Sequence, residues 1–157
     1  MASIEWTNGF HKDLQQIITS QLEVFPEHED FLKKRFSYPS DSLLEFDNNL
    51  ASKITKLIGD DLEVHCSDYK WWIEQVFIEE IHFRRTGEYR FSKFEEVDEL
   101  VYSNSEYMSR YMRALLMSSI LWSNHSAIMK YLRDKYVPML CNNFSHLEIG
   151  PGHGLHL

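Results

Sequence analysis

One stretch decides the predicted fold: Phe144-Ser145-His146-Leu147-Glu148-Ile149-Gly150-Pro151-Gly152-His153-Gly154. A short apolar run reaches Glu148, and glycine then occupies every second position, at Gly150, Gly152 and Gly154. A glycine turn after a strand lets main-chain atoms touch a ligand, because a Cβ atom would clash there and because only glycine takes positive φ angles cheaply. A helix that follows would aim its N-terminal amides at the ligand. The stretch therefore predicts a strand followed by a nucleotide-binding turn.

The spacing of the glycines distinguishes between two kinds of nucleotide turn. A dinucleotide fingerprint has the form G-x-G-x-x-G. Counted from Gly150 the sixth position is Leu155, and counted from Gly152 it is Leu157. The pattern that fits is E-x-G-x-G-x-G. It resembles the first motif of the class I S-adenosylmethionine-dependent methyltransferases, whose core is a doubly wound α/β sheet.

The resemblance implies a cofactor and four residues that would bind it. Glu148, Gly150, Gly152 and Gly154 match the motif position by position, and His153 falls at a variable position. In the family, the acidic residue helps to hold the methionine part of S-adenosylmethionine, and the glycine turn packs against it. The resemblance covers only this stretch and assigns no catalytic residue.

Helical periodicity dominates the chain before this motif. One long helix is expected from Ser67 or Asp68 to about Arg85. Its apolar stripe consists of Trp72, Ile73, Val76, Phe77 and Ile81. This spacing of three and four residues places the stripe on one face.

The sequence thus predicts a mainly α chain with two parts. Residues 1–140 form a helical N-terminal domain that serves as a cap, substrate or dimerisation domain. Residues 141–157 begin a Rossmann-like α/β methyltransferase domain with its first strand and glycine turn, and this domain is truncated. A lone strand leaves its backbone groups without ladder partners. We therefore expect the natural protein to continue past Leu157, and the chain alone to bind cofactor weakly or not at all.

Composition restricts the class of partner. The 157 residues are 43% hydrophobic and 14% aromatic, which is enough for a core, and the net charge is -8. An acidic surface repels phosphate backbones, so no nucleic acid is expected. No membrane partner is expected either, because no apolar run approaches transmembrane length. We expect a cytoplasmic protein that binds a small-molecule substrate and can form a homodimer.

Several residues are of types that take part in metal binding or acid–base chemistry. Cys66 and Cys141 lie far apart without metal-ligand spacing, which indicates free thiols rather than a disulfide or a zinc site. Glu79 and His82 have the i, i+3 spacing of a di-iron bundle, but a second such pair is missing. The carboxylate pairs Glu79–Glu80 and Glu95–Glu96 are typical of solvated helix faces. No metal is predicted.

Two further groups of residues have both a structural and a functional interpretation. One is an aromatic and methionine group that either lines an apolar pocket or is ordinary core: Trp71, Trp72, Tyr107, Met108, Tyr111, Met112, Met117 and Trp122. The other is Asn124 with His125, just upstream of the predicted strand. A general base at His125 is conceivable, whereas Asn124 is explained as an N-terminal helix cap.

The leading hypothesis is an S-adenosylmethionine-dependent methyltransferase acting on a small molecule. Two alternatives remain. One is a non-catalytic helical interaction module with an incidental glycine segment. The other is a nucleotide-binding oxidoreductase of the Rossmann type, against which the missing sixth-position glycine counts.

Overall fold

A computed structural model describes residues 4–38, 40–141 and 143–155. These residues form helices and connecting segments, which agrees with the mainly α prediction. The α-helices are α1 (Lys12–Val24), α2 (Glu29–Arg35), α3 (Asp41–Ile58), α4 (Leu62–Thr86), α5 (Phe94–Val97), α6 (Ser105–Leu121), α7 (Ser123–Tyr131) and α8 (Val137–Met139). Short 3₁₀ helices cover Glu5–Thr7 and Pro26–His28, and π-helical segments cover Asp98–Tyr102 and Leu132–Tyr136.

The core lies where four helices meet. α4 packs along α6 and α1, and α1 packs on α3. In α1, the side chains of Leu14, Ile17 and Ile18 are completely buried, and their spacing of three and four residues puts them on the face towards the other helices. Burial of such apolar faces, more than helix propensity, stabilises helices of this length.

Two helix ends are explained by residues at those ends. The Asn104 side chain accepts a hydrogen bond from the Tyr107 amide at 3.0 Å and caps α6, as the preference for asparagine at this position explains. Gly87 ends α4 in the left-handed conformation, with φ +74°.

The start of α4 differs from the prediction. The helix begins at Leu62 with Asp61 at its N-cap, not at Ser67 or Asp68. Asp68 instead lies in the second turn and accepts hydrogen bonds from Arg110 at 2.8 Å and Arg113 at 2.6 Å. Its partners lie in α6, so its role depends on contacts between helices.

The distal half of α4 also differs. Ile73 is buried, but Val76, Phe77 and Ile81 of the predicted apolar stripe are 40%, 56% and 49% exposed. The stripe is therefore covered at Ile73 and open to solvent at these three residues.

The predicted strand and α/β domain are not seen, which corrects the fold prediction. No residue within 4–38, 40–141 and 143–155 is in a strand. The apolar run leading to Glu148 is an irregular segment in which Leu147 is 84% and Ile149 is 91% exposed. A strand is stabilised by hydrogen bonds to a neighbouring strand, and the described residues supply none. Without a sheet there is no Rossmann-like architecture in this part of the chain.

The residues after the predicted boundary at 140 fold back onto the helices. Leu155 packs against the core cluster, and the glycine-rich segment approaches α6. Asn142, His156 and Leu157 of the predicted second domain lie outside the described residues. The division at residue 140 stays a prediction.

In the described part of the chain, none of the helices is long and apolar enough to span a membrane.

Candidate functional site

The glycine-rich segment has an unusual backbone. Gly150, Gly152 and Gly154 all have positive φ angles, +74°, +58° and +72°. Side chains with a Cβ atom rarely adopt this region, which explains why glycine stands at each position. The Gly154 amide donates to the Pro151 carbonyl at 3.0 Å and closes a turn within the segment. The sequence predicted such backbone angles, although it placed the turn after a strand.

Gly152 brings the segment close to α6. A Cβ atom at this position would lie 2.8 Å from Cδ2 of Leu115, which is closer than van der Waals contact allows. The absence of a side chain therefore lets the backbone pack directly on the α6 surface.

A cavity of about 250 Å³ lies between this segment and the helices. α6 contributes Leu115 and Ser119, and α7 contributes His125 and Ile128. The segment contributes the remaining wall residues, which are Glu148, Gly150, Pro151, Gly152 and His153. Glu148, Gly150 and Gly152 of the predicted cofactor-binding set thus line one cavity. Gly154, the fourth, closes the turn beside it.

His153 connects the segment to α6. Its Nε2 atom lies 2.9 Å from the Ser119 hydroxyl, and its Nδ1 atom accepts a hydrogen bond from the Leu155 amide at 3.1 Å. Because Nδ1 is an acceptor, the neutral ring carries its proton on Nε2 and donates to Ser119. No pattern in the sequence indicates this contact, since the two residues are 34 positions apart and His153 falls at a variable position of the motif.

His125 lies on the other side of the cavity. Its Nδ1 atom is 3.0 Å from the Ser118 hydroxyl, which itself donates to the Leu115 carbonyl at 2.7 Å. With the hydroxyl proton directed at that carbonyl, the ring donates from Nδ1 to Ser118. The Trp122 ring packs at 5.0 Å from the imidazole and restrains it further.

Asn124 does not cap α7. The helix begins at Ser123, and Trp122 occupies the N-cap position without a side-chain capping bond. The Trp122 indole donates to the Tyr69 hydroxyl at 2.9 Å, so this residue anchors the α6–α7 corner to α4. The predicted helix start was therefore wrong by one or two residues.

The chemistry of the cavity follows from its polar groups. Glu148 supplies a carboxylate, Ser119 a hydroxyl, and His125 and His153 imidazole rings. A carboxylate beside bare backbone favours a ligand with a positive charge and hydrogen-bonding groups. The arrangement is a small cavity in which these polar groups lie beside apolar side chains such as Leu115 and Ile128.

The other sequence candidates have structural roles. Glu79 accepts hydrogen bonds from the Arg90 amide at 2.9 Å and from the Arg90 guanidinium, which lower the pKa of the Glu79 carboxyl. Glu80 pairs with Arg84 at 2.6 Å on the helix surface. Among the residues that the structure describes, no three metal-ligating side chains form a group.

The aromatic group lies along the α4–α6 interface. Trp72 stacks on Trp122 with ring centroids 5.0 Å apart, and Trp71 meets Tyr107 edge-to-face at 5.0 Å. Arg110 lies over the Trp71 ring at 4.2 Å. These contacts are those of packing between helices.

No protein-family model, curated protein or solved structure matches this chain.

Proposed function

We propose that this chain belongs to an S-adenosylmethionine-dependent methyltransferase that acts on a small molecule, and that the segment from Glu148 to Gly154 contributes to cofactor binding. The observation that carries the proposal is that the Glu148 carboxylate and two positive-φ glycines, Gly150 and Gly152, line one cavity. Such a backbone can approach a ligand more closely than any chain with Cβ atoms.

The charge of the cavity suits the methionine part of the cofactor. Glu148 would hold the ammonium group through a charge-assisted hydrogen bond. The bound cofactor supplies an electrophilic methyl group on a sulfonium. This methyl group would pass to an oxygen, nitrogen or carbon of the acceptor. Protein residues then act mainly by positioning the two reactants.

The size of the cavity limits what this region binds. Its volume of about 250 Å³ lies below the range of about 300 to 1,000 Å³ that is typical of small-molecule sites. It would accommodate the methionine part and leave the nucleoside to other surfaces. We therefore expect weak binding, in the millimolar range.

Amide chemical shifts measured while S-adenosylmethionine is added test the proposal. We expect shifts concentrated at Glu148 to Gly154 and at Ser119. Glu148→Gln removes the charge that holds the ammonium group and should weaken binding about tenfold, which corresponds to about 1.4 kcal/mol. Glu106→Gln, on the exposed first turn of α6, is the matched control and should bind like the unmodified chain.

Two outcomes would overturn the proposal. One is an absence of shifts in this segment at millimolar cofactor. The other is equal binding by the Glu148→Gln and Glu106→Gln variants.

The exposed face of α4 favours a second candidate, a helical interaction module. Val76, Phe77, Ile81 and Phe83 are each at least 40% exposed. Exposed apolar side chains that form a contiguous patch mark interaction sites. Sedimentation of the chain tests self-association through this face. Phe77→Asp should abolish association, whereas Leu57→Asp, which changes an exposed leucine on α3, should not.

We also propose that the protein resides in a reducing compartment, the cytoplasm. Cys66 and Cys141 are both free thiols, and Cys141 is exposed. Exposed thiols persist in the cytoplasm, where disulfides are rare.

A further inference from the structure

The exposed side of α4 has a stripe of four residues with a symmetrical order. Glu74, Ile78, Ile81 and Arg85 follow one another at spacings of four, three and four residues, which places them on one face of the helix. Ile78 is 46% and Ile81 is 49% exposed, and both charged residues are exposed as well. The stripe therefore has a carboxylate at one end, a guanidinium at the other end and two isoleucines between them.

The other charged side chains in this part of α4 already have partners. Glu80 pairs with Arg84 at 2.6 Å along the same helix, and Glu79 is held by the segment that follows the helix. Glu74 and Arg85, at the two ends of the stripe, form no ion pair with the residues that the structure describes. Their charges are available to another molecule.

A second copy of this chain complements the stripe in one orientation. When two identical helices pack antiparallel about a twofold axis, the contact of one residue with another is repeated in reverse on the other side of the axis. An axis that passes between residues 79 and 80 places Ile78 opposite Ile81 of the second copy. The same axis places Glu74 opposite Arg85 of the second copy. One register thus brings the apolar pairs and the opposite charges together.

Parallel packing of the same two faces has the opposite electrostatic result. Glu74 would lie opposite Glu74 of the second copy, and Arg85 would lie opposite Arg85. Like charges that face each other across an interface are unfavourable and suppress the wrong arrangement. The order of charges along α4 therefore favours the antiparallel arrangement.

We propose that this stripe is the contact face of a homodimer, in which α4 of one copy packs antiparallel on α4 of the other. The inference rests on the second candidate function, the helical interaction module, and adds the partner and the register. Ile78 and Ile81 bury exposed apolar surface, and Phe77, one helical turn before Ile81 and 56% exposed, extends the contact. The charge pairs determine the orientation more than the affinity.

The dimer should be weak. One pair of helices buries less surface than the roughly 1,200 Å² at the lower limit of stable interfaces. Each chain also has a net charge of -8, which repels the other chain. In about 0.15 M salt the Debye length is about 8 Å, so this long-range repulsion is screened, whereas charges in contact still interact. We expect a dissociation constant of about 100 µM.

Sedimentation equilibrium of charge variants, at concentrations up to about 1 mM, tests the register. Glu74→Arg places two arginines opposite each other at both ends of the contact, and Arg85→Glu does the same with two glutamates. Each single variant should weaken dimerisation about tenfold. The double variant Glu74→Arg/Arg85→Glu restores opposite charges and should dimerise like the unmodified chain.

A mixture of the two single variants gives an independent test. In the heterodimer of Glu74→Arg with Arg85→Glu each charge again lies opposite its counterpart, so the mixture should associate more tightly than either variant alone. Glu45→Arg and Lys53→Glu make the same changes of charge at exposed positions of α3 and are the matched controls. Both controls should leave the dissociation constant unchanged.

Different results would overturn different parts of the proposal. A chain that stays monomeric at about 1 mM would exclude both the homodimer and self-association through α4. A dimer that Phe77→Asp abolishes, but that neither Glu74→Arg nor Arg85→Glu weakens, would overturn the antiparallel register and leave the interaction module standing. A double variant no tighter than the two single variants would also overturn the register.

Discussion

Arg35 and Asp47 form a buried ion pair that joins α2 to α3. Nη2 of Arg35 lies 2.7 Å from Oδ2 of Asp47, and the two side chains are only 6% and 2% exposed. Tyr38 and Ser126 also donate to the carboxylate, and burial together with the neighbouring Asp47 charge raises the pKa of the Tyr38 hydroxyl. A single carboxylate thus organises contacts among three parts of the chain.

Removal of one member of this pair should destabilise the fold strongly. Asp47→Ala leaves the Arg35 charge buried without its partner, and we expect a loss of about 3 to 5 kcal/mol in the free energy of unfolding. Urea unfolding followed by circular dichroism measures this loss. In the double variant Arg35→Met/Asp47→Leu no buried charge remains, so part of the stability should return.

Glu29→Gln breaks the exposed pair with Lys33 and is the control. It should leave the urea midpoint unchanged, because exposed ion pairs contribute little. A loss below about 1 kcal/mol for Asp47→Ala would show that the pair behaves like a surface pair.

His28 should make stability depend on pH. The ring stacks between Phe25 at 4.9 Å and Phe31 at 4.4 Å, and burial lowers the pKa of His28 from 6.5 to about 4. Because the folded state binds its proton more weakly than the unfolded state, the full contribution is present above pH 6.5. It should be lost progressively as the pH falls from 6.5 to about 4. The ring is only partly buried, so we expect a loss of about 1 to 2 kcal/mol, less than the full shift implies.

Unfolding free energies at a series of pH values test this. His28→Phe keeps an aromatic ring between Phe25 and Phe31 and should flatten the pH dependence between 4 and 6.5. His146→Phe replaces an exposed histidine and is the control for the effect of a histidine-to-phenylalanine substitution. If the unfolding free energy of the His28→Phe variant depends on pH as steeply as that of the unmodified chain, groups other than His28 cause the pH dependence.

The features of the fold that are local in sequence depend on nearby residues. Asn104 caps α6 through an amide three positions away, and Gly87 ends α4 by its own conformation. The positive φ angles of the motif glycines are of the same kind, because they are required by single residues. Such features can be read from a few neighbouring positions.

The features that the sequence missed depend on distant partners. The run before Glu148 was predicted to be a strand, but a strand requires a second strand beside it. The long helix was predicted to begin at Ser67 or Asp68, but Asp68 lies inside it and binds Arg110 and Arg113. The contact between His153 and Ser119 spans 34 positions and follows no periodic pattern. Such contacts form only when the helices pack, so they cannot be predicted from neighbouring residues.

The two cysteines should differ strongly in reactivity. Cys66 is completely buried, and burial raises the pKa of its thiol to about 12, with smaller contributions from Glu23 and Glu63. Because the thiolate is the reactive form, Cys66 should be inert in the folded protein, even at mildly alkaline pH. Cys141 is exposed and should react with Ellman's reagent.

Thiol titration of native and unfolded protein separates the two. We expect one reactive thiol in the native state and two in denaturant. Cys141→Ser should remove the fast reaction, whereas Cys66→Ser should retain it. Two fast thiols in the native protein would contradict the burial of Cys66.

The glycines of the motif should differ in their tolerance of alanine. At Gly154, with φ +72°, an added Cβ atom has no atom within 4 Å, so only backbone strain of about 1 kcal/mol is expected. At Gly152, with φ +58°, the added Cβ atom would also lie 2.8 Å from Cδ2 of Leu115. Gly152→Ala should therefore displace the segment from α6, and the Leu155 amide, which donates to His153, should exchange its hydrogen faster.

A double variant separates the effect of backbone strain from that of the contact with Leu115. Leu115→Ala removes the side chain that the new methyl group meets. Leu115→Ala/Gly152→Ala should therefore return the Leu155 exchange rate towards that of Gly154→Ala, since backbone strain alone remains. Leu115→Ala by itself is the control for loss of that side chain. If Gly152→Ala and Gly154→Ala exchange at the same rate, the segment does not pack on α6 through Gly152, and the cavity beside Glu148 does not have the wall that the cofactor proposal requires.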